Sequence, residues 1–312
     1  MGQFLYACLK TARPRQWIKN LALFAPLIFT GQLFNHQLFG KTFFSFWIFC
    51  MLASANYIFN DVLDAPADRK HPFKKMRPVA SGKLSSFNAL LISFGLVITG
   101  LLGSSFINTT FFVWAVVFVI LEFSYSLVFK KLVLIDILTI ATAYFLRVYA
   151  GEAATGGFHI SIWLTLAVWS LSLFLAIGKR RAELTLVQNF KQTLPSETRA
   201  TLSHYSERLL DTYTAMFANS TWITYAFYSF LERPPSSTLP YRYFIIETLL
   251  PDRKWLMITI PFVLFGIMRY MQLIYEGKGE SPEQILTSDL PLLTTVCIWG
   301  TLVVGIIYVI GG

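Results

Sequence analysis

The sequence predicts an all-α membrane protein, a polytopic helical bundle of about nine transmembrane helices formed by one domain over residues 1–312. Three observations predict this class. Hydrophobic residues make up 55% of the chain and 29 residues are Phe, more apolar surface than a soluble protein of this length can bury. The apolar residues fall in long runs between short charged or turn-forming stretches. Most of the 26 Lys and Arg residues then lie on one side of the bundle, as the positive-inside rule requires.

The apolar runs give the helices in chain order. They cover roughly residues 18–35, 40–59, 86–103, 109–129, 133–151, 159–178, 209–231, 253–275 and 290–310. With the N-terminus in the cytoplasm, the basic segments share the cytoplasmic face. The pattern predicts an integral inner (plasma) membrane protein with its active site on that face, built around cytoplasmic motif loops at about 60–85 and 179–208.

The segment before the first span, residues 13–20, combines several cations with Trp17. One interpretation is an interfacial anchor, with the indole at headgroup depth and the cations on anionic lipid. The other is part of a phosphate site, in which Lys19 binds substrate. The residues alone leave both interpretations open.

An acidic cluster lies between the second and third spans. Asn60, Asp64 and Asp68 recur every fourth residue and Asp61 lies three before Asp64, so a helix would gather four oxygen-bearing side chains on one face. Oxygen ligands suit Mg²⁺, so all four are candidate metal ligands and the aspartates candidate catalytic residues. Because Pro66 disfavours helix just before it, Asp64 could instead cap a new helical turn. The alternative to a metal site is a solvated loop of mixed charge.

Basic residues follow this cluster and recur at later helix ends. Lys74, Lys75 and Arg77 add the positive charge that a bound polyphosphate needs beyond a metal. Further candidates for binding substrate are Lys130, Arg147, Lys179, Arg180 and Arg181, and Tyr125 and Asp136 are further candidate catalytic residues, which could orient these cations or the substrate. An arginine within a span is costly unless it is paired or faces a polar cavity, so Arg147 is a site candidate or the partner of a polar group such as Glu152. The Lys-Arg-Arg run could also be only a topology signal.

The pattern Asn-Asp-x-x-Asp-x-x-x-Asp at 60–68, followed by Arg77-Pro78, resembles the first aspartate motif of the UbiA-like superfamily of intramembrane prenyltransferases. Three stretches resemble the branch of that superfamily that transfers phosphoribose: Arg-Pro-Arg-Gln-Trp-Ile-Lys-Asn at 13–20, His71-Pro72 after the aspartates, and Gly-Lys-Arg-Arg-Ala-Glu-Leu at 178–184. Relatives that modify aromatic rings carry a second aspartate motif where this chain has Lys-Arg-Arg. The resemblance covers most of residues 11–211.

The resemblance implies a UbiA-like fold and Mg²⁺-dependent transfer of 5-phosphoribose from phosphoribosyl pyrophosphate to a decaprenyl-type polyprenyl phosphate, releasing pyrophosphate, in the synthesis of lipid-linked arabinose precursors. Asn60 and the three aspartates would hold Mg²⁺ and the pyrophosphate, and the cations would bind the other phosphates. The expected partners are both substrates and the lipid bilayer, with a homo-oligomer left open. Nucleic acid is not expected, since membrane insertion accounts for the basic charge.

Two other functions remain open from the sequence. The first is a transferase of the same superfamily that attaches a polyprenyl diphosphate to an aromatic acceptor, a quinone or haem precursor. The second is a lipid-phosphate transporter, whose intramembrane charges would form a pathway. A transporter would not need oxygen ligands clustered on one face, and its cations should appear on both sides of the membrane.

Overall fold

The computed structural model describes residues 2–69, 74–189, 201–232, 254–279 and 281–310, all of them in helices, turns or connections. The α-helices in these ranges are α1 (Gly2–Ala12), α2 (Ala25–Phe29), α3 (His36–Asp68), α4 (Ser86–Ser105), α5 (Thr109–Leu127), α6 (Ile135–Ala154), α7 (Ile162–Asn189), α8 (Glu207–Leu231), α9 (Ile260–Tyr275), α10 (Pro282–Ser288) and α11 (Leu290–Gly305). A 3₁₀ helix, Pro14–Phe24, precedes α2, and a second, Trp255–Thr259, precedes α9.

Six helical segments of the described chain are long and apolar enough to cross a bilayer. They cover His36–Asp68, Ser86–Ser105, Thr109–Leu127, Ile162–Leu186, Trp255–Tyr275 and Leu290–Ile310. The all-helical integral membrane class is therefore confirmed, whereas the predicted count of nine spans is not.

The three remaining predicted spans differ from these six for separate physical reasons. Residues 18–35 do not form one long helix: the 3₁₀ helix gives way to the short α2, whose first turn contains Pro26. In α6, three buried charged residues lower the hydropathy: Asp136, Arg147 and Glu152. In α8, hydroxyl and amide side chains alternate with the apolar ones.

The predicted motif loops are in large part helical. Helix α3 continues through Pro66, so residues 60–68 form neither a loop nor a new helical turn. Its 33 residues extend about 50 Å, longer than the roughly 30 Å hydrocarbon core, so its last turns can lie beyond the apolar layer. Helix α7 likewise continues to Asn189. Residues 70–73 and 190–200 of the predicted loops, including His71 and Pro72, lie outside the described residues.

The helices pack as two halves. Helices α3 to α6 surround a core that includes Phe49, Phe111 and Phe118, and α7, α8, α9 and α11 form the other half. Helix α6 lies between the halves, since it packs against both α5 and α7. The 3₁₀ helix Pro14–Phe24 packs closely on α6, where a Cβ on Gly151 would lie 2.1 Å from the Leu23 carbonyl oxygen. Two of the buried charges of α6 reach its neighbours: Asp136 contacts Arg180 of α7, and Arg147 contacts Asn20 of the 3₁₀ helix.

Candidate active site

A polar cavity of about 340 Å³ lies between the two halves. Its walls come from the C-terminal parts of α3 and α5, from α6, from α7 around residues 179–183, from the 3₁₀ helix Pro14–Phe24 and from the start of α10. The predicted site residues that line it are Lys19, Asn60, Asp64, Lys74, Arg77, Tyr125, Arg147 and Lys179. The structure thus brings together residues from distant parts of the sequence.

Asn60 and Asp64 present oxygen atoms at the α3 side of the cavity. The Asn60 amide donates to Asp64 Oδ2 at 2.8 Å. Lys130 Nζ, just outside the lining, donates to Asp64 Oδ1 at 2.6 Å and to Asn60 Oδ1 at 3.1 Å. The Asp64 side chain is 34% exposed. These contacts hold one carboxylate and one amide where a ligand can reach them.

Asp61 and Asp68, predicted as metal ligands, are instead buried against arginines. Arg77 Nη1 lies 3.2 Å from Asp61 Oδ1 and 2.7 Å from Asp68 Oδ2. Arg13 Nη2 donates to Asp61 Oδ1 at 2.5 Å. Positions 61 and 68 are almost two full turns apart, so they share a helix face that is rotated from that of Asn60 and Asp64. The predicted set of four oxygen ligands is therefore divided into two pairs.

Asn60 and Asp64 fit Mg²⁺ as part of a shared site. Mg²⁺ is commonly held by one or two carboxylates, by substrate phosphates and by waters. The described residues contain no cluster of three or more His, Cys, Asp or Glu side chains able to hold a metal ion. A divalent cation here would therefore depend on phosphate oxygens of a bound substrate.

Arg147, a predicted phosphate ligand, lines the cavity but is also held by neighbouring helices. Its Nε donates to Asn20 Oδ1 at 2.8 Å, and Nη2 lies 3.7 Å from Glu122 Oε1. The alternative pairing with Glu152 does not occur, since Glu152 contacts His159. Arg147 therefore connects the 3₁₀ helix, α5 and α6 at the wall of the cavity.

Arg180 and Asp136, predicted to contact substrate, form a fully buried ion pair outside the cavity lining. Arg180 Nε lies 3.0 Å from Asp136 Oδ2. The guanidinium also donates to Glu183 and, at 3.2 Å, to the Tyr125 hydroxyl. Asp136 Oδ1 accepts from the Tyr205 hydroxyl at 2.7 Å, and burial raises the pKa of Tyr205, so that hydroxyl remains a donor at neutral pH. Arg180 and Asp136 position Tyr125 and Glu183, which do line the cavity.

Two other predicted phosphate ligands also lie away from the cavity. Arg181 Nε contacts Asp211 Oδ1 at 2.7 Å, and its Nη2 lies 3.3 Å from Glu207, so it joins α7 to α8. Lys75 is exposed to solvent and is not part of the lining. Helix geometry explains why Arg181 lies away from the cavity that Lys179 lines, because successive residues of a helix point about 100° apart.

Three acidic residues that line the cavity were not predicted as site residues: Glu122, Glu183 and Glu283. Lys19 Nζ lies 3.2 Å from Glu283 Oε1. Burial raises the pKa of Glu283, but the Lys19 and Lys179 ammoniums outweigh it and hold that pKa below its ordinary value. Glu122 could have been predicted, because a charged residue within an apolar span is a site candidate, and the same rule selected Arg147. Glu283 lies between the last two spans and had no such signal.

Comparisons with known proteins agree with this architecture. The UbiA prenyltransferase family matches residues 21–184. The decaprenyl-phosphate phosphoribosyltransferase of Corynebacterium glutamicum is 30% identical over 96% of this chain and 86% of its own length. The protein of the same name from Mycolicibacterium smegmatis is 30% identical over 93% of this chain and 89% of its own length.

A solved structure shows the same fold. The UbiA homolog from Archaeoglobus fulgidus bound to GPP and Mg²⁺ aligns with a TM-score of 0.67 at 19% identity, covering 96% of this chain and 99% of that chain. The family match covers α2 to α6 and most of α7, and the fold likeness extends over 96% of this chain. It follows that the chain is a membrane-embedded transferase and belongs to the UbiA prenyltransferase family.

Proposed function

We propose that the protein transfers 5-phosphoribose from phosphoribosyl pyrophosphate to a polyprenyl phosphate, releasing pyrophosphate, with Mg²⁺ as cofactor. The observation that carries this proposal is the composition of the cavity, which has one Asp–Asn pair on α3 and a lysine, Lys179, on α7. Two relatives that match most of this chain are named for such an activity. The product would enter lipid-linked arabinose synthesis, with the site on the cytoplasmic face of the inner membrane.

The α3 side of the cavity would bind the pyrophosphate of the donor. Asn60 and Asp64 would share Mg²⁺ with its oxygens, while Lys130 fixes both side chains. Lys74 and Arg77 line the same wall and would contact the phosphates directly. When bound, Mg²⁺ neutralises negative charge that develops on the leaving pyrophosphate.

The acceptor phosphate does not need a general base from the protein. A phosphate monoester has a second pKa near 6, so it is largely dianionic at neutral pH and can attack without a general base. Its oxygen would form the new bond to the anomeric carbon of the ribose. The bond from that carbon to the pyrophosphate oxygen would break, and pyrophosphate would leave with the electron pair. The protein would hold the two anions together and exclude water from the reacting carbon.

The test uses purified protein with Mg²⁺, phosphoribosyl pyrophosphate and a long-chain polyprenyl phosphate, followed by mass spectrometry of the lipid fraction. The expected product is a lipid heavier by one phosphoribosyl unit, absent when the metal is chelated. No such product, together with prenylation of an aromatic acid from a polyprenyl diphosphate, would contradict the proposal and support the alternative transferase. Transport of the lipid phosphate without any chemical change would support a transporter.

A further inference from the structure

A buried carboxylate faces the cavity with oxygen atoms that can accept further hydrogen bonds. Glu283, at the start of α10, is 7% exposed, and within the described residues neither of its carboxylate oxygens has a hydrogen bond of good geometry. The ammonium groups of Lys19, 3.2 Å away, and of Lys179 stabilise its charge. Each carboxylate oxygen can accept more than one hydrogen bond. Glu283 is thus placed to accept hydrogen bonds from a ligand.

A lysine that can only donate hydrogen bonds, Lys179, lines the same cavity. Lys179 Nζ makes no hydrogen bond or ion pair to any residue that the structure describes, and it is among the charges that act on Glu283. An ammonium group has three donors and no acceptor. Lys179 can therefore donate to oxygen acceptors of a ligand, while Glu283 can accept from its donors.

The ligand that fits both residues best offers acceptors to Lys179 and donors to Glu283. A dianionic phosphate monoester or an ionised isoprenoid diphosphate offers acceptors and negative charge for Lys179 but no hydroxyl donor for Glu283. A neutral sugar offers hydroxyl donors but no anion. A phosphorylated sugar provides both kinds of group on one molecule.

We propose that Glu283 is a specificity-determining residue that accepts hydrogen bonds from the sugar hydroxyls of the donor, while Lys179 and Lys19 bind a phosphate of the same molecule. This assignment rests on the proposed function and adds the part of the site that recognises the sugar. It also places the start of α10 in the active site, in the same cavity as Asn60 and Asp64 of α3.

The test is a binding measurement on the full-length protein in detergent, and it needs no turnover. Dissociation constants are measured for ribose 5-phosphate and for its 2-deoxy and 3-deoxy analogues. A hydrogen bond to a charged group contributes about 1.5–3 kcal/mol, so wild type should prefer ribose 5-phosphate over at least one analogue by about tenfold or more. In Glu283→Gln this preference should fall to about twofold or less.

Two further variants make the result specific. Lys179→Met should weaken binding of all three sugar phosphates by a similar factor and leave the preference intact. Glu276→Gln, at an exposed residue paired with Lys278 in the connection before α10, is the matched control and should bind like wild type. If loss of the partner of Lys19 unfolds Glu283→Gln, the double variant Lys19→Met/Glu283→Gln removes both charges and repeats the measurement.

The outcomes separate this assignment from the proposed reaction. Equal binding of the three sugar phosphates by wild type, or an unchanged preference in folded Glu283→Gln, would overturn the role of Glu283, even if phosphoribosyl lipid is formed. A preference that depends on Glu283, in a protein that forms no phosphoribosyl lipid, would support this sugar phosphate site and refute the proposed transfer.

Discussion

Asp64 near the end of α3 and Lys179 of α7 line the same cavity with opposite charges. At α3, Asn60 and Asp64 face the cavity, and cations from other segments bind its aspartates. At α7, Lys179 faces the cavity, while carboxylates of α6, α7 and α8 bind Arg180 and Arg181. Helix phase therefore decides which charged residue of a motif meets a ligand. Adjacent residues of similar charge should respond very differently to substitution.

The largest effect is expected from Arg180→Met. It would leave Asp136 buried without its cation, and breaking a buried ion pair from one side is destabilising by about 3–5 kcal/mol. The unfolding midpoint in detergent should fall sharply. The double variant Arg180→Met/Asp136→Asn should recover part of this loss, since both charges are gone. A single variant as stable as wild type would show that Arg180 is not structural.

Asp64→Asn should remove activity but not stability. Turnover should fall on the order of 10²- to 10³-fold, because the metal and the leaving group lose a carboxylate. The Asp64 side chain is 34% exposed, so the unfolding midpoint should change little. Initial rates over a range of Mg²⁺ concentrations measure the effect. Asp211→Asn, at a residue with similar exposure on α8, is the control and should retain turnover. Wild-type rates in Asp64→Asn would exclude Asp64 from the metal site.

Lys179→Met and Arg181→Met test the same comparison within α7. Lys179→Met should raise KM for the sugar donor by about tenfold, the value of one charge-assisted hydrogen bond. Arg181→Met should leave KM unchanged and lower stability by at most about 1 kcal/mol, because the Asp211 and Glu207 side chains are 40% and 50% exposed. Steady-state kinetics and unfolding of the two variants separate these effects. Equal increases in KM would show that the run acts through its total charge.

The smallest effect concerns pH and Glu283. Its pKa in the folded protein lies below the ordinary value of 4.5, so between these two values the unfolded chain binds more protons. The stability from the Lys19–Glu283 pair should therefore be complete above 4.5 and lost as the pH falls through the folded pKa. The difference in unfolding midpoint between wild type and Glu283→Gln should stay constant from pH 7 to about 5 and shrink below that. A difference that already shrinks near pH 6 would contradict the lowered pKa.

Local sequence predicted the helical class and two residues that line the cavity, Asn60 and Asp64. Long apolar runs leave few alternatives to membrane helices. The four-residue repeat of Asn60 and Asp64 places both side chains on one helix face. These properties depend only on neighbouring residues, and the structure retains them.

Tertiary packing determined what the sequence could not predict. Asp68 satisfies the same repeat but is bound by Arg77, which arrives from beyond the helix end. Arg180 was grouped with Lys179 because the position of Asp136 on the neighbouring α6 was unknown. Glu283 reaches the cavity only because α10 packs against the 3₁₀ helix Pro14–Phe24 and α7. A hydrophobicity pattern contains no information about such contacts between distant segments.

The most direct test of the account is the choice of donor. The protein in lipid nanodiscs with Mg²⁺ receives either phosphoribosyl pyrophosphate with a polyprenyl phosphate, or a polyprenyl diphosphate with an aromatic acid, and released pyrophosphate is measured. The cavity, lined by Lys179 of α7 and Glu283 of α10, predicts release from the first pair only. Release from the second pair and none from the first would contradict the account.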